Sequence, residues 1–599
     1  MQNESMLLPQ CYCGEFPGKD DIREKVCDSQ IYRTIDDKSY CVLHYPASDK
    51  WGAFWSVVKN KLERGDFKFT GAWFPEDKER EYFEKFHFNN YADFTDATFS
   101  ENINFREAKF DRVRFSRANF KKSGLFFDSE FLERVDFDSA EFMNAEFGGV
   151  AFRKEANFDG ARFMSKANFF HADFFAFAHF REAKFNQLDF SEAVFAGISF
   201  DKTVFGDPGS QANTRASFKK ATFKVDVSSF AIESYLPVDF DEASFLTDAH
   251  FRNAEFKRQA SFVSTSFQAK TFFVKTIFTN SANFSVADFA GEADFTDAHF
   301  SKIHGALFYR AKFARDVFFD RTEFAGNVTF NSAVFGGDSD MIFRNSEFAG
   351  DVSFIYSTSD GYLRFIDLKQ GEGSRMRFEE AAFEKATRIS FHTVRLQPHW
   401  FVNIDSRKFV FTNCRWKQPD NTDIDLRSEL EALGGTRDSH KLLTKTCWQL
   451  ADNHEEMKSF PKASIFRQMA NESKRLEDYR GWKVWSLHWW YWLSSFYGER
   501  PLRAGLVLLG ILLAFALAFM VPEFQVCPIE KTVPEKACDP RYLSFAEAIL
   551  QSLATATFQS IEYIKPQTMP GTFLIILEKI LAPIQAALFA LAIRRKFMR

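Results

Sequence analysis

Phenylalanine recurs through the middle of this chain at steps that alternate between five and six residues. From Phe240 the series runs through Phe245, Phe251, Phe256, Phe262, Phe267, Phe273, Phe278, Phe284, Phe289, Phe295 and Phe300. The resulting 11-residue period fits neither the 3.6-residue turn of a helix nor the two-residue alternation of a strand. It is an internal repeat, and it takes precedence over local propensity. Typical units are YADFTDATF, DFSEAVF and ADFTDAHF. A polar residue, often Asp or Asn, precedes each Phe, and Ala or another small residue stands two before it. The array read in this way covers 91–416. Loops are expected where it is interrupted, at 206–215, 301–307, 336–342 and 357–362.

On either side the period changes. Over 47–90, Trp51, Phe54, Trp55, Val58 and Leu62 recur at three- and four-residue steps, which predicts an amphipathic helix leading into the first repeat and covering its end. Residues 417–480 open with the polar turn KQPDNTDID and continue as two helices joined near 453–461. Leu442, Leu443, Trp448, Leu450 and Ala451 line one apolar face, and Ala463, Phe466 and Met469 the other; an antiparallel pair is the simplest packing. Residues 481–500 hold Trp482, Trp485, Trp489, Trp490, Trp492 and Tyr497 beside Lys483 and Arg500, the composition of a helix lying at lipid headgroups.

The last segment, 501–599, reads as a two-span membrane domain. Residues 504–521 are apolar and uncharged, and 572–593 are apolar except for Glu578, Lys579 and Gln585; both are long enough to cross a bilayer. Between them, 544–558 predicts a helix too short to cross, which suits a re-entrant segment. Pro583 predicts a kink in the second span. Arg500 and Arg503 precede the first span, and Arg594, Arg595, Lys596 and Arg599 follow the second. By the positive-inside rule this puts both termini in the cytoplasm and the connecting loop outside the inner (plasma) membrane.

Composition narrows the function classes. The net charge of −5 and pI near 6.2 supply no basic face for nucleic acid. No metalloprotease, nucleophile-elbow, phosphate-loop or dinucleotide fingerprint occurs, so an enzyme is not expected. His171, His179, His250 and His299 are scattered and receive no role. The opening MQNESMLLPQ lacks the basic start and apolar run of a secretory signal.

Four of the eight cysteines crowd the N-terminus. Cys11, Cys13, Cys27, Cys41 and His44 offer five ligands for a tetrahedral zinc, one more than it needs. The expected set is Cys13, Cys27, Cys41 and His44, with Cys11 as substitute. The ion would be structural, since 1–46 is too short and polar to hold a core alone. The alternative is free thiols in a small packed lobe. Cys527 and Cys538 lie in the loop assigned to the oxidising side, where a disulfide between them is expected.

The repeat unit resembles the pentapeptide-repeat family, whose motif is A-(D/N)-(L/F)-x-x. That resemblance implies a β-solenoid, a right-handed quadrilateral β-helix in which one large and one small residue per face share a narrow shaft. Phe would take the large position and residues such as Ala92, Ala97, Ala108, Ala254, Ala282 and Ala293 the small one. With four faces per turn, the 5+6 step makes a 22-residue coil with a bulge at two of four corners. The array would then hold about 14 coils over ~70 Å. Residues 394–416 resemble the closing coils of membrane-linked members, and 417–480 their α-helical linker.

The C-terminal third is similar to the two-helix pore domain of potassium-channel-like proteins. The T-V-G-Y-G filter is absent; the corresponding stretch reads ATATFQSIEYIKP. A side-chain ring from Thr555, Thr557, Gln559 or Glu562 would have to replace it, and a Glu ring would favour cations. Glu578 and Gln585, seven apart, share one face of the second span, where they would line the pore; alternatively Glu578 pairs with Lys579 or with the first span. The function implied is an oligomeric, tetrameric ion-channel-like protein in contact with membrane lipids, whose β-helix senses or binds a protein partner. The competing reading is a non-conducting membrane-tethered scaffold. The mixed outer charges of units such as REAKF and RNAEF argue against an acidic duplex mimic that inhibits topoisomerases.

Overall fold

The computed structural model describes residues 30–76, 82–210, 214–225, 230–337, 339–371, 373–383, 388–407, 409–417, 424–477, 486–526 and 539–597. The chain divides into two units. The first comprises 1–396 and 409–423, the second 397–408 and 424–599.

The first unit is a β-solenoid of about 15 turns. Its phenylalanines stand in four columns, one per face. In one column Phe94, Phe115, Phe137, Phe158 and Phe180 lie 4.8–4.9 Å apart and within 5° of parallel. That spacing is the distance between hydrogen-bonded strands, so each ring rides on its own backbone rung. Neighbouring columns meet edge to face, as Phe105 and Phe126 do on Phe115. Ala92, Ala97, Ala108, Ala254, Ala282 and Ala293 are all buried beside these rings. Where Thr replaces Ala, its hydroxyl is paid for by a carbonyl of a neighbouring coil: Thr265 donates to Phe240 O at 2.8 Å and Thr276 to Phe251 O at 2.7 Å.

The corners are of two kinds. In the five-residue step, Ala97 N–H closes a turn on Phe94 O at 3.0 Å, and Asp96 adopts a left-handed φ of 57°. This conformation costs a non-glycine residue about 1–2 kcal/mol. The stack offsets it, because the Asp96 N–H donates to Ser116 O in the next coil at 2.9 Å. Arg117 and Ser139 repeat the arrangement. The other corner takes five or six residues, and where the six-residue step of Asn119–Leu125 lies beside the five-residue step of Glu141–Glu146 the pairing shifts register. The polar residue before the Phe that opens a tight turn also has a job. Asp93 Oδ1 accepts from Thr95 N–H at 3.0 Å and Asp189 Oδ1 from Ser191 N–H at 3.0 Å, which sets the turn that follows.

The solenoid starts before the position expected from the repeat. Phe67 and Phe69 already occupy its shaft, and Trp73–Phe74 pairs with Thr98–Phe99. Helix α1 (Trp51–Glu63) covers this end: Phe54 lies 5.1 Å from Phe74 and Trp55 5.8 Å from Phe83. Ahead of it, Ile31–Ile35 and Lys38–Cys41 form a hairpin whose two turn residues, Asp36 and Asp37, both have positive φ. At the other end Phe391 stacks on Phe411 at 5.6 Å, and Leu396 pairs with Trp416. The rungs are interrupted here, since 397–408 leaves the solenoid and belongs to the helical unit.

The second unit is helical. After α2 (Leu426–Ala432), α3 (Arg437–Glu456) and α4 (Phe460–Glu477) form the expected antiparallel hairpin. Thr436 and Ser439 build a reciprocal cap at the start of α3. Leu443, Cys447, Leu450 and Ala451 are buried against Ala463, Phe466, Met469 and Ala470. Trp448 is not in this face: it is 38% exposed, and Cys447 takes the inward position. The loop 397–408 docks on the hairpin. Asn453 donates to the carbonyls of Ser406 and Arg407, and Glu429, buried on α2, accepts from both His399 N–H and His399 Nδ1.

Then come α5 (Leu487–Ser495), α6 (Pro501–Phe519), α7 (Phe545–Ala556) and α8 (Met569–Phe597). Phe496, Tyr497 and Gly498 all have positive φ and turn the chain sharply from α5 into α6. Both α6 and α8 are long and apolar enough to cross a membrane, and only 22% and 17% of their most apolar windows are buried. Leu502, Leu506, Leu517, Phe573, Ile576 and Ile584 are each more than half exposed. Short strands Phe524–Val526, Asp539–Arg541 and Ile564–Pro566 form an antiparallel sheet beside a core that includes Phe515, Phe519, Leu543 and Ala548.

Candidate functional site

The short helix α7 is fixed at its start by a capping box, in which Glu547 accepts from Ser544 N–H at 2.9 Å. It is tied to both long helices by one residue. Ser552 donates its hydroxyl toward Leu512 O on α6, at 3.0 Å, and toward the buried Glu578 carboxylate on α8. This packing opens a groove of about 540 Å³ between the end of α7, the loop after it and α8.

Three of the four proposed ring residues line that groove: Thr555, Gln559 and Glu562. Thr557 does not; it is exposed, and its hydroxyl back-bonds to Leu553 O and Ala554 O within α7. The residue after it, Phe558, has φ 61° and ends the helix. Gln551 also lines the groove. It is 4% exposed, its Nε2 donates to Thr555 Oγ1 at 3.3 Å, and its Oε1 has no partner among the described residues. The i, i+4 spacing of Gln551 and Thr555 carried this signal in the sequence.

Glu578 and Gln585 are elsewhere. Both are buried, but in the packing between helices and not along the groove. Glu578 takes the Ser552 hydroxyl, and Gln585 Nε2 donates to Ala504 O at 2.8 Å and Ser494 O at 3.0 Å. Glu578 makes no ion pair with Lys579 within 4 Å. The rotation of about 100° between successive helical residues turns Lys579 toward the groove instead, where Lys565 joins it.

Near the C-terminal end of α8 a buried charge network links helices of the same unit. Glu499 accepts from Ser464 Oγ at 2.7 Å, Arg467 Nε at 3.0 Å and Arg595 Nη1 at 3.3 Å, and Arg467 also pairs with Glu455. Tyr497 donates to Glu472 at 2.9 Å; burial, reinforced by that carboxylate, pushes its phenol up. Other arginines pack on aromatics, Arg503 on Trp492 and Arg500 on Phe496.

Of the five metal-ligand candidates, Cys41 and His44 are described and adjacent, with Sγ 3.0 Å from Nδ1. Both are buried. His44 Nε2 lies 3.0 Å from Thr70 O, which makes that nitrogen the protonated one and leaves the Nδ1 lone pair facing the thiol. Cys11, Cys13 and Cys27 lie outside the described residues, as do Cys527 and Cys538. Among the described residues no group of three or more His, Cys, Asp or Glu is arranged to hold a metal.

No curated protein and no solved structure matches the chain. Residues 83–130, within the first coils of the solenoid, match the family described as pentapeptide repeats (9 copies), so the chain carries pentapeptide repeats folded as a β-solenoid, followed by helices of which two are long and apolar enough to span a membrane.

Proposed function

We propose that this protein is anchored in a membrane by α6 and α8 and assembles as a tetramer around an ion pathway, with the pentapeptide-repeat solenoid in the cytoplasm as sensor or scaffold. The observation that carries this reading is the groove, in which polar residues of the short helix α7 and its following loop gather beside helices whose outer faces are apolar and exposed. A short helix wedged between two long ones cannot cross a bilayer, and its polar end is tolerated at membrane depth only where it meets water or protein. Four such grooves around an axis would form a wet passage. The aromatic α5 with Arg500 and Arg503 suits the headgroup layer, and the basic end of α8 supports cytoplasmic termini.

The test is ion flux in liposomes with the purified full chain, its oligomeric state measured in parallel. Flux that a Glu562→Ala substitution alters supports the pore. A sealed bilayer containing pure tetramer sinks it and leaves the membrane-tethered scaffold, whose role would be to hold a protein partner on the solenoid surface. No catalytic role and no nucleic-acid partner are proposed.

The N-terminal residues support a second element of this reading, a structural zinc held by Cys41 and His44 with two of Cys11, Cys13 and Cys27. The orientation of His44 by Thr70 O is the arrangement that metal-bound imidazoles use. Cys527 and Cys538 are proposed to pair on the outer side, which free-thiol counting under non-reducing conditions decides.

A further inference from the structure

The charge carried by the groove has a sign, and it is not the one a ring of Glu562 alone would give. Its lining includes one carboxylate, Glu562, and two ammonium groups, Lys565 and Lys579. None of the three forms an ion pair within 4 Å among the described residues, so the fixed charges do not cancel locally. Lys565 and Glu562 lie on the exposed loop and strand after α7, where solvent screens them. Lys579 is different. It stands ten residues into α8, about 15 Å along the helix, in the stretch long and apolar enough to cross a membrane. An intramembrane lysine is costly unless it faces a partner or a wet cavity. The nearest carboxylate in sequence, Glu578, is already engaged by Ser552 on another face.

The polar groups beside Lys579 suit the same ligand. Gln551 spends one amide N–H on Thr555 Oγ1 and keeps the second. Thr555, 1% exposed, accepts that bond and retains its own hydroxyl proton. The groove thus offers an ammonium, an amide N–H and a hydroxyl as donors beside one acceptor, Gln551 Oε1, that has no partner among the described residues, and its two ammonium groups outnumber the Glu562 carboxylate, a balance that favours an anion.

We infer that the groove binds a small inorganic anion, and that Lys579 makes the pathway anion-selective. The inference rests on the pore reading for conduction but not for binding. Rings of Lys select for anions in the way that rings of acidic residues select for cations.

The experiment uses the full chain in planar bilayers under a potassium chloride gradient. The wild type should reverse near the chloride equilibrium potential, with chloride several-fold more permeant than potassium. Lys579→Gln should bring the two permeabilities together, and Lys579→Glu should invert the preference. Potassium preferred by the wild type, or the same reversal potential in all three proteins, overturns the inference while leaving the pore intact. Absence of any current overturns the pore reading instead. The anion site is then decided by melting temperature in detergent, with chloride exchanged for gluconate. Stabilisation by chloride that Lys579→Gln abolishes sustains the site; an equal response of both proteins overturns it.

Discussion

Ser552 on α7 donates its hydroxyl to the carboxylate of Glu578 on α8, at a point where both side chains are almost fully buried. This contact turns an acid of the long apolar helix α8 into a packing element, while the next residue, Lys579, lines the groove. Oε2 of Glu578 already has no partner among the described residues, and removing the donor strips Oε1 as well, which costs about 1–3 kcal/mol. Ser552→Ala should therefore lower the melting temperature in detergent, while Glu578→Gln, which keeps an acceptor for Ser552, should lower it less. Neither should change the reversal potential. A shifted reversal potential in Glu578→Gln would return Glu578 to the conduction path.

Phe262 is buried in the middle of a column, stacked 5.1 Å from Phe240 and 4.8 Å from Phe284. Phe262→Ala opens a cavity that rigid neighbouring coils cannot close, at about 3–5 kcal/mol. Because each coil packs only on its neighbours, the loss should be local. Amide hydrogen exchange should accelerate in the coils around 240–284 and stay unchanged near Phe115. Uniform acceleration along the solenoid would show a single cooperative unit instead.

Val286 holds the left-handed corner position with φ 61°, where a β-branched side chain is most strained. Its N–H donates to Tyr309 O at 2.7 Å, so the conformation is enforced by the stack. Val286→Asn should stabilise the solenoid by about 1 kcal/mol, since Asn tolerates this region. A lower chemical-denaturation midpoint for the variant would refute the assignment of strain to this corner.

His454 is buried in the hairpin, its ring parallel to Phe466 at 5.5 Å. Burial, with a smaller contribution from Lys462, lowers its pKa to about 4. A base depressed on folding takes up its proton more readily when unfolded. Stability is therefore full above the ordinary value near 6.5 and is lost as pH falls from there toward 4, by up to about 3 kcal/mol. His454→Gln should flatten this part of the pH profile in thermal melts. A slope unchanged by the substitution would assign the acid sensitivity to other groups.

Chelation tests the N-terminal site. Metal analysis of the full chain should find one zinc per chain, and Cys41→Ser or His44→Ala should abolish it. Loss of the ion should expose 1–46 to limited proteolysis, because the metal supplies the folding free energy of so short a segment. Full occupancy in both variants, or a protease-resistant segment without metal, would refute the site.

Much of the solenoid was legible because its rules are local and repeat. A Phe every five or six residues with a small residue two before it determines a shaft with stacked rings, and the alternating step already implied two kinds of corner. The Asp or Asn before the Phe that opens a tight turn sets that turn through a contact only two residues away. Hydropathy and length likewise determine that α6 and α8 can span a membrane, since those are properties of a segment alone.

The site was legible only in part, because it depends on how separate segments approach. Glu578, Lys579 and Gln585 read alike as polar interruptions of one apolar stretch. Which of them meets the groove is decided by the rotation of α8 about its axis, and that rotation is set where Ser552, Leu512, Ala504 and Ser494 pack against it. The departure of 397–408 from the repeat has the same origin, since Asn453 and Glu429, distant in sequence, hold it to the hairpin. Period and hydropathy state what each segment can bury; only the packing of one segment on another decides which polar group is left facing the open space.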